Sequence, residues 1–123
     1  MDKELLDFSA GKVDEMLAAF SASDGTKKAA QAWKDAIAAG QDPDAATNAL
    51  MDAISEHQSP IDGTIAFYSS ETGKQMLGDQ QAAMVAHEQE RKAKGAKWCD
   101  CAACRPCHEL LAKFGREEPD VYL

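Results

Sequence analysis

The residues best suited to chemistry lie near the end of the chain, where all four cysteines fall within nine residues. They are Cys99, Cys101, Cys104 and Cys107, and His108 follows directly. Thiolates bind borderline-soft cations such as zinc, and a C-x-x-C turn lets two sulfurs face one ion. Cys101 and Cys107 each form such a pair with Cys104, and Cys99 adds a C-x-C pair in front. The spacing predicts a closed zinc site made of four sulfurs, or of three sulfurs and His108.

The cluster departs from the usual zinc pattern because its ligand pairs are not separated by a spacer of about ten or more residues. A partner chain could therefore supply or share ligands. The C-x-C pair followed by Cys107-His108 also resembles the zinc-binding tail of the SecA translocase, although the spacer here has only five residues. That resemblance implies Cys99, Cys101, Cys107 and His108 as the ligands and leaves Cys104 spare.

Two redox interpretations compete with zinc. The run Cys104-Arg105-Pro106-Cys107-His108 resembles the C-x-x-C-H attachment motif of c-type cytochromes, which implies thioether bonds to haem and an iron–His108 bond. The candidates for the ligand on the other side of the iron are Met84, His87 and Met76. The C-x-x-C-x-x-C run also resembles bacterial ferredoxins and implies an iron–sulfur cluster. Disulfide pairing or thiol redox chemistry is the remaining interpretation, favoured if the protein is exported.

The rest of the chain carries the spacing of helices and no strand pattern. Apolar residues on one face, namely Leu6, Val13, Met16, Leu17 and Phe20, predict a first helix over 3–22. A second helix is predicted over 27–39, and the start signals Asp42-Pro43 and Ser59-Pro60 predict a third and a fourth. A fifth, longer helix is predicted over 71–94, and a short final helix over 108–114. We therefore expect an all-α protein, with an antiparallel helical bundle over 1–95 and a cysteine-rich knuckle, short helix and tail over 96–123, together one structural domain.

Charge limits the partners that the protein can have. The 123 residues carry 21 acidic and 13 basic side chains, a net charge of −8, which disfavours direct binding to nucleic acid. Residues 1–62 alone carry a net charge of −7, so an acidic helical face could occupy the basic groove of a nucleic-acid-binding complex as an inhibitor. The basic residues Arg91, Lys92, Lys94 and Lys97 are interpreted as a solvated helix end. Glu88 and Glu90 each precede a lysine by four residues and are expected on the same exposed face.

The compartment expected from the sequence is the cytoplasm. No run of 18 apolar residues is present, and the first eight residues contain three acids where a signal peptide would be apolar. The segment Ile65–Lys74, however, resembles a family of small helical domains in exported bacterial proteins that often read FYxSxxGK there. That resemblance implies export, as would a removed signal peptide.

No motif for enzymatic chemistry accompanies the cluster. His57 and His87 are single and distant in sequence, and each is expected to be structural. No Gly-rich phosphate loop, serine nucleophile elbow or HExxH pair is present, so no hydrolase or transferase mechanism can be assembled. The sequence therefore predicts a small acidic helical protein that binds zinc and acts through a protein partner. Electron transfer and inhibition by acidic mimicry remain as alternatives.

Overall fold

The all-α prediction is confirmed by a computed structural model that describes all 123 residues. Its seven α-helices are α1 (Lys3–Ala18), α2 (Asp24–Ala38), α3 (Pro43–Ile54), α4 (Ile61–Ser69), α5 (Glu71–Leu77), α6 (Gln81–Ala93) and α7 (Cys104–Lys113). Two 3₁₀ turns, Ser55–His57 and Gly78–Gln80, follow α3 and α5. The β-type backbone pairing consists of one isolated antiparallel bridge between Pro60 and Trp98. None of the helices combines the length and apolar character that crossing a membrane requires.

Side-chain caps set where several helices begin. The Asp2 carboxylate accepts a hydrogen bond from the backbone N–H of Leu5, and Pro43 occupies the first turn of α3 after the cap Asp42, as predicted. The Ser23 hydroxyl accepts from Thr26, so α2 begins at Asp24, three residues earlier than predicted. Each cap satisfies a backbone donor that the helix itself leaves without a partner.

The predicted extents of the first, fifth and final helices are also wrong. Helix α1 ends at Ala18, since Ala19 adopts an extended backbone, and this takes Phe20 off the buried face and leaves it 87% exposed. The predicted helix over 71–94 is two helices, because the chain breaks at Gly78. This residue has a positive φ of 55°, which residues other than glycine rarely adopt. The final helix also starts four residues before the predicted position, at Cys104.

Contacts divide the chain into two compact units, and the first consists of Met1–Gln58 and Asp100–Pro119. In it α1 packs against α2 and α7, and α3 packs against α2 and α7. Its buried core takes residues from all four helices: Val13, Met16, Ala30, Trp33, Leu50, Met51, Ile54, Cys107, Leu110 and Leu111. The Trp33 indole N–H donates to the Thr47 hydroxyl at 3.0 Å, so the polar atom of this buried ring is satisfied.

The second unit consists of Ser59–Cys99 and Asp120–Leu123. In it α4 packs against α5 and α6. The junction between α4 and α5 is tight, because a Cβ on Gly73 would lie within 2.5 Å of the Phe67 and Tyr68 carbonyl oxygens. The Ser70 hydroxyl accepts from the Gly73 N–H and caps α5. Close packing at this junction therefore explains why the FYxSxxGK-like segment has a glycine at position 73.

Arg91 is fully buried, which corrects its assignment to a solvated basic patch. Its guanidinium donates to the Glu88 carboxylate at 2.8 Å and to the Asp120 carboxylate at 3.2 Å, and both carboxylates are buried with it. It also donates to the backbone carbonyls of Trp98 and Val121. A buried cation is tolerated only when it is paired and hydrogen-bonded, and these four acceptors meet that requirement.

The neighbouring charges follow from this arrangement. Glu88 pairs with Arg91 and not with Lys92 as predicted, and Lys92 lies 2.5 Å from Asp62. The predicted pair of Glu90 with Lys94 is confirmed at 3.4 Å. Of the two predicted ion pairs, only that of Glu90 with Lys94 is present, and Glu88 is buried beside Arg91.

The Asp120 side chain ties the end of the chain to the segment before the cysteines. Its carboxylate accepts hydrogen bonds from the backbone N–H groups of Lys97 and Trp98, at 2.8 and 3.1 Å, in addition to that from Arg91. The Tyr122 ring lies 5.6 Å from the Arg91 guanidinium carbon. The last four residues are thus an integral part of the second unit.

We expect Asp120→Ala to lower the free energy of unfolding by about 3 to 5 kcal/mol, because it leaves the Arg91 cation buried without one of its two carboxylates. Urea denaturation followed by circular dichroism measures the change. The control is Glu118→Ala, which removes an exposed carboxylate two residues away and is expected to change stability by less than about 0.5 kcal/mol. Equal unfolding midpoints for the two variants would show that the buried network contributes little.

Candidate metal centre

The cysteine segment is held by backbone contacts on either side of its turn. The Cys99 N–H donates to the Ser59 carbonyl at 2.9 Å, and Cys99 itself is buried. Cys101 lies in the turn, and Cys104 is the first residue of α7. The Arg105 N–H donates to the Cys101 carbonyl at 2.9 Å, so the turn leads directly into the helix. The positions of these cysteines therefore depend on main-chain hydrogen bonds.

Three of the predicted ligands come together. The sulfur atoms of Cys99, Cys101 and Cys104 all lie within 4.8 Å of one another, and none of the four cysteines forms a disulfide. A tetrahedral ion with Zn–S bonds of about 2.3 Å holds its sulfurs about 3.8 Å apart. The upper bound of 4.8 Å on the observed separations is about 1 Å above that spacing. This three-cysteine group could hold a metal ion.

Two hydrogen bonds point at the Cys101 sulfur. The Ser21 hydroxyl lies 3.5 Å from it, and the Cys104 backbone N–H donates to it at 3.4 Å. Donors directed at a sulfur favour its thiolate form, which is the form that binds metals. Sequence reasoning did not single out Ser21, because it precedes Cys101 by 80 residues and no local motif connects them.

Cys107 is placed differently from the other three cysteines. It is buried in the core of the first unit, and its thiol donates to the Ala103 carbonyl at 3.3 Å. Burial, followed by the negative charges of Cys101 and Glu117, raises the pKa of Cys107 to about 12. It is not among the three sulfurs that lie within 4.8 Å of one another.

His108 is buried on α7 and bound to a carboxylate. Only 2% of the residue is exposed, and its Nδ1 lies 2.7 Å from Oε1 of Glu117. The other oxygen of Glu117 accepts a hydrogen bond from the Gln58 side chain at 3.3 Å. His108 also lies outside the three-sulfur group. Sequence reasoning missed Glu117 and Gln58, which no spacing relates to the histidine.

The candidate axial ligands of the haem interpretation lie on α5 and α6. Met76 is 61% exposed on α5, while Met84 and His87 are partly buried on α6. The His87 ring lies 3.8 Å from the buried Glu88 carboxylate. The remaining histidine, His57, packs its ring against Gly25, where a Cβ would meet it at 2.5 Å. His57 thus has a packing role at the start of α2.

The surface beside the cysteine turn contains an exposed aromatic ring. Phe20 is 87% exposed and precedes Ser21, the residue that donates to Cys101. A cleft of about 470 Å³ opens between the end of α1 and the start of α7, and Ala18, Ala102 and Pro106 contribute to its lining. Phe20 is the most exposed of the large apolar side chains of the protein.

Comparison of the chain with protein-family models, with curated proteins and with solved structures finds no match.

The raised pKa of Cys107 predicts the order in which the cysteines react. A pKa raised from 9.0 to about 12 means that its reactive thiolate is about a thousandfold scarcer near neutral pH than that of an ordinary thiol. In chelator-treated protein at pH 7.5 we expect iodoacetamide to label Cys107 last. Peptide mass spectrometry over time measures the order. Labelling of Cys107 as early as Cys101, in a sample that keeps its helical signal, would contradict the assignment.

Proposed function

We propose that this chain is a small zinc-binding protein that acts by binding another protein and not by catalysis. Cys99, Cys101 and Cys104 provide three thiolate ligands, and the fourth comes from Cys107 or His108. The observation that carries the proposal is the convergence of the three sulfurs within 4.8 Å of one another. A site whose four positions are all filled by side chains orders the chain around it, and no position is left for a substrate.

The donor set supports zinc over the redox centres. Iron–sulfur clusters of the common types are held by four cysteine thiolates, whereas the sulfur group here has three members. Haem attachment at the C-x-x-C-H run would require the Cys107 sulfur to reach the edge of the porphyrin. This sulfur is instead buried and hydrogen-bonded to the Ala103 carbonyl. Three thiolates with one further nitrogen or sulfur donor form an ordinary structural zinc site.

The partner surface that fits this role is centred on Phe20. Its ring is 87% exposed, and the adjacent Ser21 contacts the Cys101 sulfur, so a metal that orders Cys101 also orders the surface around Phe20. Aromatic side chains are enriched among the residues that dominate protein–protein binding energy. The partner is therefore expected to present an apolar pocket to this turn.

The metal prediction is tested on protein purified without added metal or chelator. We expect one zinc per chain by mass spectrometry and no visible colour, because zinc has no absorbing d–d transitions. Cys101→Ser and Cys104→Ser should lose the zinc and keep most of the far-ultraviolet helical signal. Phe20→Ala, an exposed change in the same unit, is the control and should keep both.

Other outcomes of this experiment are equally informative. Full zinc occupancy in Cys101→Ser and Cys104→Ser would refute the ligand assignment. A sharp visible band, or a broad brown one, would instead identify haem or an iron–sulfur cluster and make the protein an electron carrier.

The partner prediction is tested by replacing Phe20 with the photocrosslinking amino acid p-benzoylphenylalanine. Illumination of the producing cells should yield a crosslinked species that is lost when Cys101→Ser is added. The same replacement at Gln31, an exposed position on α2, should yield none. Equal crosslinking at both positions, or crosslinking that does not depend on Cys101, would contradict a metal-ordered surface. Binding that survives Phe20→Ala but disappears at high salt would favour the acidic-inhibitor alternative.

A further inference from the structure

The four cysteines differ in how far solvent reaches them. Cys99 and Cys107 are buried, whereas Cys101 and Cys104 are partly exposed. A small dissolved molecule therefore reaches Cys101 and Cys104 more readily than the other two. Cys101 lies in the turn, and Cys104 is the first residue of α7. The accessible half of the cysteine cluster is thus one C-x-x-C pair at the start of a helix.

The sulfurs of this pair are close enough for a disulfide bond to form between them. They belong to the group whose sulfur atoms all lie within 4.8 Å of one another, and a disulfide bond is about 2.0 Å long. Rotation of the two side chains between staggered rotamers moves the sulfurs over a distance of this order. The backbone N–H of Cys104 donates to the Cys101 sulfur at 3.4 Å and so holds that sulfur beside the first turn of α7.

The third member of the sulfur group, Cys99, is a poorer partner for a disulfide. It is buried, and its backbone N–H is bound to the Ser59 carbonyl at 2.9 Å. Only one residue separates Cys99 from Cys101, so a disulfide between them would close a smaller ring with less freedom to reach the preferred geometry. Access and spacing therefore both favour the pair of Cys101 with Cys104.

We infer that Cys101 and Cys104 are a redox modification site, at which a hydroperoxide joins the two sulfurs in a disulfide and thereby releases the bound zinc. This inference rests on the proposed zinc function, because the release of the ion is what makes the modification regulatory. Accessible cysteines with a second cysteine in reach are the ones that such oxidants convert to disulfides.

The reaction takes place in two steps, with hydrogen peroxide as the simplest oxidant of this class. The Cys101 thiolate attacks one peroxide oxygen, an S–O bond forms, the O–O bond breaks, and hydroxide leaves behind a sulfenic acid. The Cys104 thiolate then attacks the Cys101 sulfur, the S–S bond forms, the S–O bond breaks, and a second hydroxide leaves. The two sulfurs together lose two electrons, which the peroxide gains. Each hydroxide takes a proton from the solvent and becomes water.

Oxidation and metal binding exclude each other at this site. The thiolate is the form of cysteine that binds metals, so the disulfide removes two of the three proposed thiolate ligands and leaves Cys99. The turn that the ion would order includes Cys101, whose sulfur lies 3.5 Å from the Ser21 hydroxyl next to Phe20. The oxidised protein is therefore expected to lose the ordered surface through which the reduced, zinc-loaded protein binds its partner.

Treatment of the zinc-loaded, unmodified chain with hydrogen peroxide tests the inference. Zinc release is followed with a chelating dye, and the cysteine pairing is determined by peptide mass spectrometry without reduction. We expect one zinc to be released for each Cys101–Cys104 disulfide, and dithiothreitol with added zinc to reverse both changes.

Two kinds of failure are distinguishable in this experiment. A disulfide that involves Cys99 or Cys107, retention of zinc by the oxidised chain, or zinc release without any disulfide would overturn the inference and leave the zinc function standing. A wild-type chain purified without zinc would overturn the proposed function and the inference with it.

Two matched variants test the pairing in chelator-treated protein, since each removes a proposed ligand. Cys99→Ser should form the disulfide to the same extent as the wild-type chain, and Cys99→Ala serves if the serine variant does not fold. Cys104→Ser should lose the disulfide and accumulate a sulfenic acid at Cys101, which dimedone traps. Circular dichroism verifies that the variants keep their helical signal. Loss of the disulfide from a folded Cys99 variant, or a Cys101 disulfide at wild-type yield in Cys104→Ser, would contradict the assignment.

Discussion

The burial of one cation, the Arg91 guanidinium, determines how the second unit is organised. A charge that is fully removed from water must be met by acceptors on all sides, and here Glu88, Asp120 and two backbone carbonyls meet it. Asp120 in turn accepts from the N–H groups of Lys97 and Trp98. The backbone that leads into Cys99 is therefore positioned by an ion-pair network, and not by apolar packing alone.

This ion-pair network could not be predicted from the sequence, whereas the helices could. Local signals predicted the helix class correctly, because caps and proline starts such as Asp42-Pro43 act over a few residues. They misplaced Arg91, since periodicity treats every charged residue as exposed and its partner Asp120 lies 29 positions away. They also missed the break at Gly78, because a glycine in a helical pattern does not reveal whether its φ is positive.

In the candidate metal centre, too, local spacing predicted some contacts and missed those between residues distant in the sequence. The C-x-C and C-x-x-C spacings predicted that the cysteines lie close together, and three of the four, Cys99, Cys101 and Cys104, do so. They could not choose between Cys107 and His108, which are neighbours on one helix. The contacts that distinguish them are tertiary, since Cys107 lies in the core of the first unit and the His108 ring lies 2.7 Å from Glu117.

A closed site of this kind has a consequence for function that follows from coordination chemistry. An ion whose four positions are filled by protein atoms has none left for substrate or water, so its contribution is to fix the chain around it. In the proposed site the chain so fixed would include the Cys101 turn, which the Ser21 hydroxyl touches beside the exposed ring of Phe20. A metal that shapes a turn next to an exposed aromatic side chain would act through recognition. Loss of the metal would then abolish binding by loosening that surface, while the helices and their core remain folded.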